Sequence, residues 1–254
     1  MRFLRQVWFH LKDFASTPYF VQIVLVSTVS ASLVQRLGVE AWGADPYLGF
    51  VRSGTIGLWT SCTASAGIIG FERRKGTLVY LLSGHINPLA AVASVVSSAA
   101  TFGLSAFPIA LVIWLIHGES MLSLSAIQFH AAHLIVGSLM LWVSTVSITF
   151  VIASIFILTP HALAYEGIIL VPALAASGVF NSSVPARSFP RINELIIPSA
   201  AATRILYDKG TSASYLFPYA ILCLAITAIW LTIAAILGRK ALAASRRRAS
   251  IEVM

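Results

Sequence analysis

Charge is what this sequence has least of. Only 10% of its 254 residues are Asp, Glu, Lys or Arg, where a soluble domain carries about 25%. With 58% hydrophobic residues and a mean hydropathy of +0.87, that scarcity excludes a soluble globular enzyme, a disordered chain and a typical nucleic-acid binder. Cysteine is nearly missing too. Cys62 and Cys223 lie inside apolar runs, and neither has the spacing of a disulfide framework or a metal site. No G-x-x-x-x-G-K-[ST] loop occurs, so this chain does not cradle ATP phosphates itself. G-x-S-x-G and H-E-x-x-H are absent as well. No catalytic residue and no metal ligand is assigned.

What is present is apolar length. A span takes about 20 residues, and the runs predict an all-α integral membrane protein with one transmembrane domain over 1–254. Six spans are expected, at about 19–37, 48–70, 88–116, 127–158, 162–180 and 215–238. The third and fourth are long, which predicts tilt or a broken end.

Ahead of the first span, Phe3, Val7, Leu11 and Phe14 recur at helical spacing, and Leu4 and Trp8 extend that face. Arg2, Arg5, Gln6, Lys12 and Asp13 fall elsewhere. Residues 1–17 therefore read as an amphipathic helix lying in the headgroup region. Pro18 suits the first turn of the next helix.

The net charge of +8 is first of all a topological signal, because cations beside spans are held in the cytoplasm. One side collects Arg2, Arg5, Lys12, Arg73, Arg74, Lys75 and the basic tail 239–254, with Arg239, Lys240, Arg246, Arg247 and Arg248. The other side holds fewer, namely Arg36, Arg52, Arg187, Arg191, Arg204 and Lys209. Both termini are thus expected in the cytoplasm and the chain in the plasma (inner) membrane, multi-pass. An even number of spans agrees. No nucleic-acid partner is expected.

Between the fifth and sixth spans, 181–214 contains Pro185, Pro190 and Pro198. It is apolar enough to enter the membrane and too interrupted to cross it. It reads as a re-entrant or interfacial hairpin on the outer side, with a surface loop as the other reading. His130 and His133 lie three apart, which fits interfacial polar residues better than a metal pair. Glu166 is the one acid expected within a span, near its start, where the helix dipole favours a carboxylate. Without buried carboxylate chains, proton- or sodium-driven transport is not expected, and energy for transport would come from a partner.

The segment GFERRKGTLVYLLSGHINP, residues 70–88, joins a charged cluster to a glycine–threonine step and a leucine patch. Thr77 can cap a following helix. By the charge rule the segment faces the cytoplasm. It fits a short lever gripped by a soluble motor, or a plain loop with anchoring cations.

This segment resembles the loop after the second span in permeases of the ATP-binding-cassette (ABC) type-2 exporter family. That loop typically reads E-R-E-x-G-T followed by leucines and a proline-containing turn. Glu72, Arg73, Gly76, Thr77, Leu78, Leu81, Leu82, Ser83 and Pro88 stand in matching places, and Arg74 departs from the acidic pattern. Ser177, Gly178, Phe180, Pro190 and Pro198, within residues 170–208, are similar to the family's fifth-span end and outer re-entrant helix. The likeness extends over the whole chain.

The resemblance implies a permease subunit of an ATP-driven exporter, not an enzyme, moving a hydrophobic or amphipathic substrate (drug, antibiotic, peptide or lipid-linked molecule) by alternating access. Its implied partners are two soluble ABC ATPase subunits, a second permease identical or homologous to this one, and the lipid bilayer. ATP and Mg would sit on the ATPases, with no cofactor on this chain. The implied coupling segment, 71–87, carries Glu72, Arg73, Arg74, Lys75, Gly76, Thr77, Leu78 and Leu81. Thr159, Pro160 and His161 would make a second cytoplasmic contact. Thr55, Leu58, Trp59 and Cys62 can share one face of the second span, and Leu170, Leu174 and Ser177 one face of the fifth. These would line the substrate path, or else pack or face lipid. Other classes that fit the composition are a membrane-embedded enzyme or assembly factor, and a passive channel.

Overall fold

The computed structural model describes residues 2–78, 80, 87–116, 127–128, 130–159, 162–180, 192–207 and 213–252. Among them there is no strand. Helix α1 is Arg2–Ala15, and α2, Pro18–Trp42, starts on its proline as expected. Next come α3 (Pro46–Ala64), a 3₁₀ turn at Ser65–Gly67, and α4 (Ile68–Arg74). Helix α5 (Pro88–Thr101) passes through a second 3₁₀ turn, Phe102–Ser105, into α6 (Ala106–Leu115). The remaining helices are α7 (Ala131–Leu158), α8 (Ala162–Ala176), α9 (Ile192–Ile196), α10 (Pro198–Tyr207) and α11 (Ala213–Glu252).

Among the described residues, four stretches are long and apolar enough to cross a membrane: Pro18–Trp42, Pro88–Leu115, Ala131–Leu158 and Leu216–Ser245. They correspond to the first, third, fourth and sixth expected spans. The third is interrupted in its middle rather than at an end, and the fourth is one continuous helix. Pro108 sits at the start of α6, and its ring excludes the α-helical carbonyl four residues back, at Leu104. The backbone tightens to 3₁₀ over that stretch.

The other two expected spans look different. Residues 48–70 fold as α3, the 3₁₀ turn and α4 rather than one continuous helix. Helix α3 carries Arg52, Ser53, Thr55, Ser61 and Thr63, which keeps its hydropathy low. It tolerates them because it runs through the middle of the bundle, against α2, α6, α7 and α10. Ser53, Thr55, Ser61 and Thr63 each donate to the carbonyl four residues back, at 2.7–2.8 Å. Helix α8 has 15 residues with Pro172 inside. At 1.5 Å per residue it reaches roughly 22 Å, short of a hydrocarbon core of about 30 Å.

Helix α7 is the most enclosed of the four long stretches, packing on α11, α10 and α3. Two apolar clusters surround it. One gathers Leu58, Cys62, Ala106, Trp114, Leu141 and Leu206. The other, toward the chain termini, gathers Phe14, Ile69, Leu78, Val95, Phe156 and Leu242. The second cluster corrects the tail expected at 239–254. Helix α11 continues to Glu252, and Ala241 and Leu242 are buried parts of the bundle.

Helix α1 is amphipathic, but its apolar face divides. Phe14 is buried and Val7 and Leu11 are half-buried, with α1 lying along α5. Leu4 and Trp8 stay 71% and 61% exposed, on the side free to enter a lipid surface.

Candidate functional site

The site is built where α4 ends. Lys75 closes the helix, and Gly76 takes φ +75°, a left-handed conformation that costs a residue with a Cβ about 1–2 kcal/mol. The Gly76 N–H donates to the Arg73 carbonyl and the Thr77 N–H to the Glu72 carbonyl, both at 3.0 Å. That pair of bonds is a Schellman stop, so the glycine–threonine step has a local structural reason. The Thr77 hydroxyl donates backward, to the Glu72 carbonyl at 3.1 Å and to the Glu72 carboxylate, while most of the segment it was expected to cap lies outside the described residues. The Tyr80 N–H meanwhile donates to the Thr77 carbonyl at 3.0 Å.

Arg73 makes the long-range connection. Its Nη1 donates to the Thr159 carbonyl at 2.6 Å and its Nη2 to the Ile157 carbonyl. These belong to the C-terminus of α7, where carbonyls lack helical partners and the helix dipole is negative. Partial burial pulls the Arg73 pKa down, and a guanidinium stays charged regardless. Two elements singled out from sequence, 72–77 and Thr159, are thereby tied together. Leu78 is buried in the cluster with Phe14 and Phe156, which anchors the segment from its other end. Arg74 and Lys75 remain exposed, over the Phe71 ring at 5.7 and 4.7 Å. Leu81, Leu82, Ser83, Pro160 and His161 lie outside the described residues.

His10 of α1 borders the same junction. Burial holds its pKa below the ordinary value of about 6.5, against weaker upward pulls from Asp13 and Glu72. The docked helix therefore prefers neutral imidazole. As pH falls, the undocked state takes the proton first. Stability from this group is complete above about 6.5 and is lost as pH drops through the lowered value. Hydrogen-exchange protection of α1, corrected for intrinsic rates, is expected to fall between about pH 7.5 and about pH 5.5. His10→Gln should flatten that change; equal protection of the unaltered chain at both pH values would contradict it.

The residues expected to line a path are mostly enclosed. Thr55, Leu58 and Cys62 are fully buried and Trp59 nearly so, inside this single chain. The Cys62 thiol donates to the Ala100 carbonyl at 3.3 Å, and the Cys62 carbonyl accepts from the Thr149 hydroxyl at 3.1 Å. Leu170 and Leu174 are half-buried. Ser177 is buried, and its carbonyl accepts from Thr203 at 3.2 Å. The two faces are not brought together on an open surface of the monomer.

Of the cations that sequence reasoning placed on the outer side, Arg36 is buried and Arg52 and Arg204 are half-buried, while Arg187, Arg191 and Lys209 lie outside the described residues. Arg36 reaches the end of α6 and donates to the Ile113 carbonyl at 2.7 Å. Arg52 lies over the Tyr207 ring at 5.8 Å. Glu194, 1% exposed, pairs with Arg204 at 2.9 Å, and the Arg204 guanidinium lies 4.1 Å from the Tyr219 ring centre. Sequence reasoning missed this ion pair. Its signal was an acid and a base ten residues apart in an apolar stretch, since an ionisable group there needs a partner. The side chain of Glu166 lies outside the described residues. His130 stacks near Tyr47, with ring centres 4.5 Å apart, and among the described residues no group of three or more His, Cys, Asp or Glu could hold a metal.

The chain matches no family model, no curated protein and no solved structure.

Proposed function

We propose that this chain is the membrane-spanning permease subunit of an ATP-driven ABC exporter. The observation that carries the reading is the Arg73 clamp, which makes the 72–80 segment and the end of α7 one mechanical unit. A force on the exposed face of that segment passes directly to the helix at the centre of the bundle. Two soluble ATPase subunits would grip it at Glu72, Arg74, Lys75, Gly76 and Thr77, with Thr159 to His161 as the second contact. ATP and Mg stay on those subunits. Their closure would interact differently with two arrangements of α7, as any ligand-driven switch requires.

In this reading α3–α4 and α8 complete six crossings within a protein assembly, with both termini cytoplasmic in the inner membrane. Helices α9 and α10 form the outer re-entrant element. Trp230 Nε1 donates to the Ile196 carbonyl at 2.8 Å, roughly 21 Å along α11 from Leu216, which supports a deep position for that turn. The substrate, hydrophobic or amphipathic, would pass along a seam with a second permease. Thr55, Leu58, Trp59 and Cys62 would reach it only through rearrangement of the bundle, and Leu170, Leu174 and Ser177 from the shorter helix.

Both native cysteines are buried and Tyr80 is exposed, so Tyr80→Cys gives a clean accessibility probe. Labelling is expected from the cytoplasmic side only. An ABC-type ATPase is expected to copurify from native membranes, with retention falling severalfold in Gly76→Val while expression holds. Labelling of Tyr80→Cys from outside, or no such ATPase retained, would overturn the proposal.

A further inference from the structure

We infer that the crevice at the α1–α2 joint is a binding site for the phosphodiester headgroup of an anionic phospholipid. Thr17, Tyr19, Phe20, Gly67, Ile68, Phe71 and Arg74 enclose about 380 Å³, counted with the open mouth. The crevice is mostly apolar. Phe20, Ile68 and Phe71 supply its wall and Arg74 its charge, while the Thr17 hydroxyl already donates to the Asp13 carbonyl at 3.3 Å.

Depth argues for a lipid over a free anion. Pro18 opens a helix long and apolar enough to cross a membrane, so Thr17 and Tyr19 stand at its boundary with water. Leu4 and Trp8 project from the adjoining α1 and fix the acyl boundary at the same level. A headgroup resting there would lay its glycerol end on the Phe20–Ile68 wall. Charge argues for an anionic lipid. Among the described residues Arg74 forms no ion pair, and Lys75 stands beside it over the same Phe71 ring. A guanidinium holds a phosphate through parallel charge-assisted bonds, and basic pockets between membrane helices bind anionic headgroups. The inference does not depend on an ATPase partner; with a headgroup held by Arg74, the proposed ATPase grip would fall to Glu72, Lys75, Gly76 and Thr77.

The full chain, purified in detergent and then exposed to vesicle-derived phosphatidylglycerol or phosphatidylcholine, is examined by native mass spectrometry. One phosphatidylglycerol is expected to be retained in preference to phosphatidylcholine. Arg74→Gln should reduce retention about tenfold, the scale of one lost charged hydrogen bond. Arg5→Gln, an exposed cation away from the crevice, should leave retention intact. Phe71→Ala, at an exposed ring of the apolar wall, is a second variant expected to weaken binding without removing charge. Equal retention of both lipids, no effect of either crevice variant, or displacement of the lipid by millimolar inorganic phosphate would each overturn the assignment.

Discussion

Glu194→Ala is expected to destabilise the protein by about 3–5 kcal/mol, the loss found when one member of a buried ion pair is removed. The Arg204 side chain is 9% exposed and its Nη1 lies 2.9 Å from Glu194 Oε2. Without the carboxylate, its charge loses this ion pair and keeps the face of the Tyr219 ring in a largely buried setting. Most of the loss is thus the desolvation of the guanidinium that stays behind, not the value of the pair itself. That distinction has its own test. A double variant, Glu194→Leu with Arg204→Met, removes both charges and preserves apolar volume, and it should recover most of the stability. Reversible unfolding in mixed micelles measures all three proteins. If the double variant is no more stable than Glu194→Ala, packing rather than the stranded charge is responsible.

The second large effect sits at the crossing of α2 and α3. A Cβ on Gly57 would come within 2.1 Å of Thr28 Oγ1 and 2.9 Å of the Ala106 Cβ. Thr28 is fully buried, and the Ala106 contact is a packed methyl on a third helix. Two neighbours on opposite elements cannot both move aside. Gly57→Ala should therefore cost about 1–3 kcal/mol, as overpacking does, despite adding one methyl. Thr28→Ala removes the nearest atom, and in combination it should restore part of the loss. Thermal unfolding of the single and double variants checks this. A neutral Gly57→Ala would mean the helices do not meet as closely as their backbones indicate. Small residues at such crossings let backbones approach, since lipid supplies no hydrophobic force between helices.

Much of this architecture was legible along the chain because its causes are local. Pro18, Asn87 with Pro88, and Gly76 mark helix ends through their own backbone chemistry. The amphipathic period of 2–15 is likewise carried by neighbouring residues. The third span's interruption follows from Pro108. Position between apolar runs could not show how far a cation reaches into the bundle. Arg36, Arg52 and Arg204 each reach a partner far along the chain or across a turn. Those partners are the α6 carbonyls, the Tyr207 ring and Glu194. The Thr77 hydroxyl also closes on the helix behind it, where Glu72 offers two acceptors, a contact that its reading as a forward cap did not include.

Composition alone determined that this is a helical protein with membrane-crossing stretches. A chain this poor in charge has to satisfy its backbone polar groups within each segment, and helices do so without outside partners. Tertiary structure decided which apolar-looking segments face lipid and which thread the interior. The polar α3 lies inside the bundle and the apolar α2 and α11 are more exposed, because the serines and threonines of α3 donate to carbonyls of their own helix and can be enclosed by other helices without losing a partner. It also decided that Arg73 belongs to the end of α7, a bond between residues 84 to 86 positions apart that no local pattern encodes.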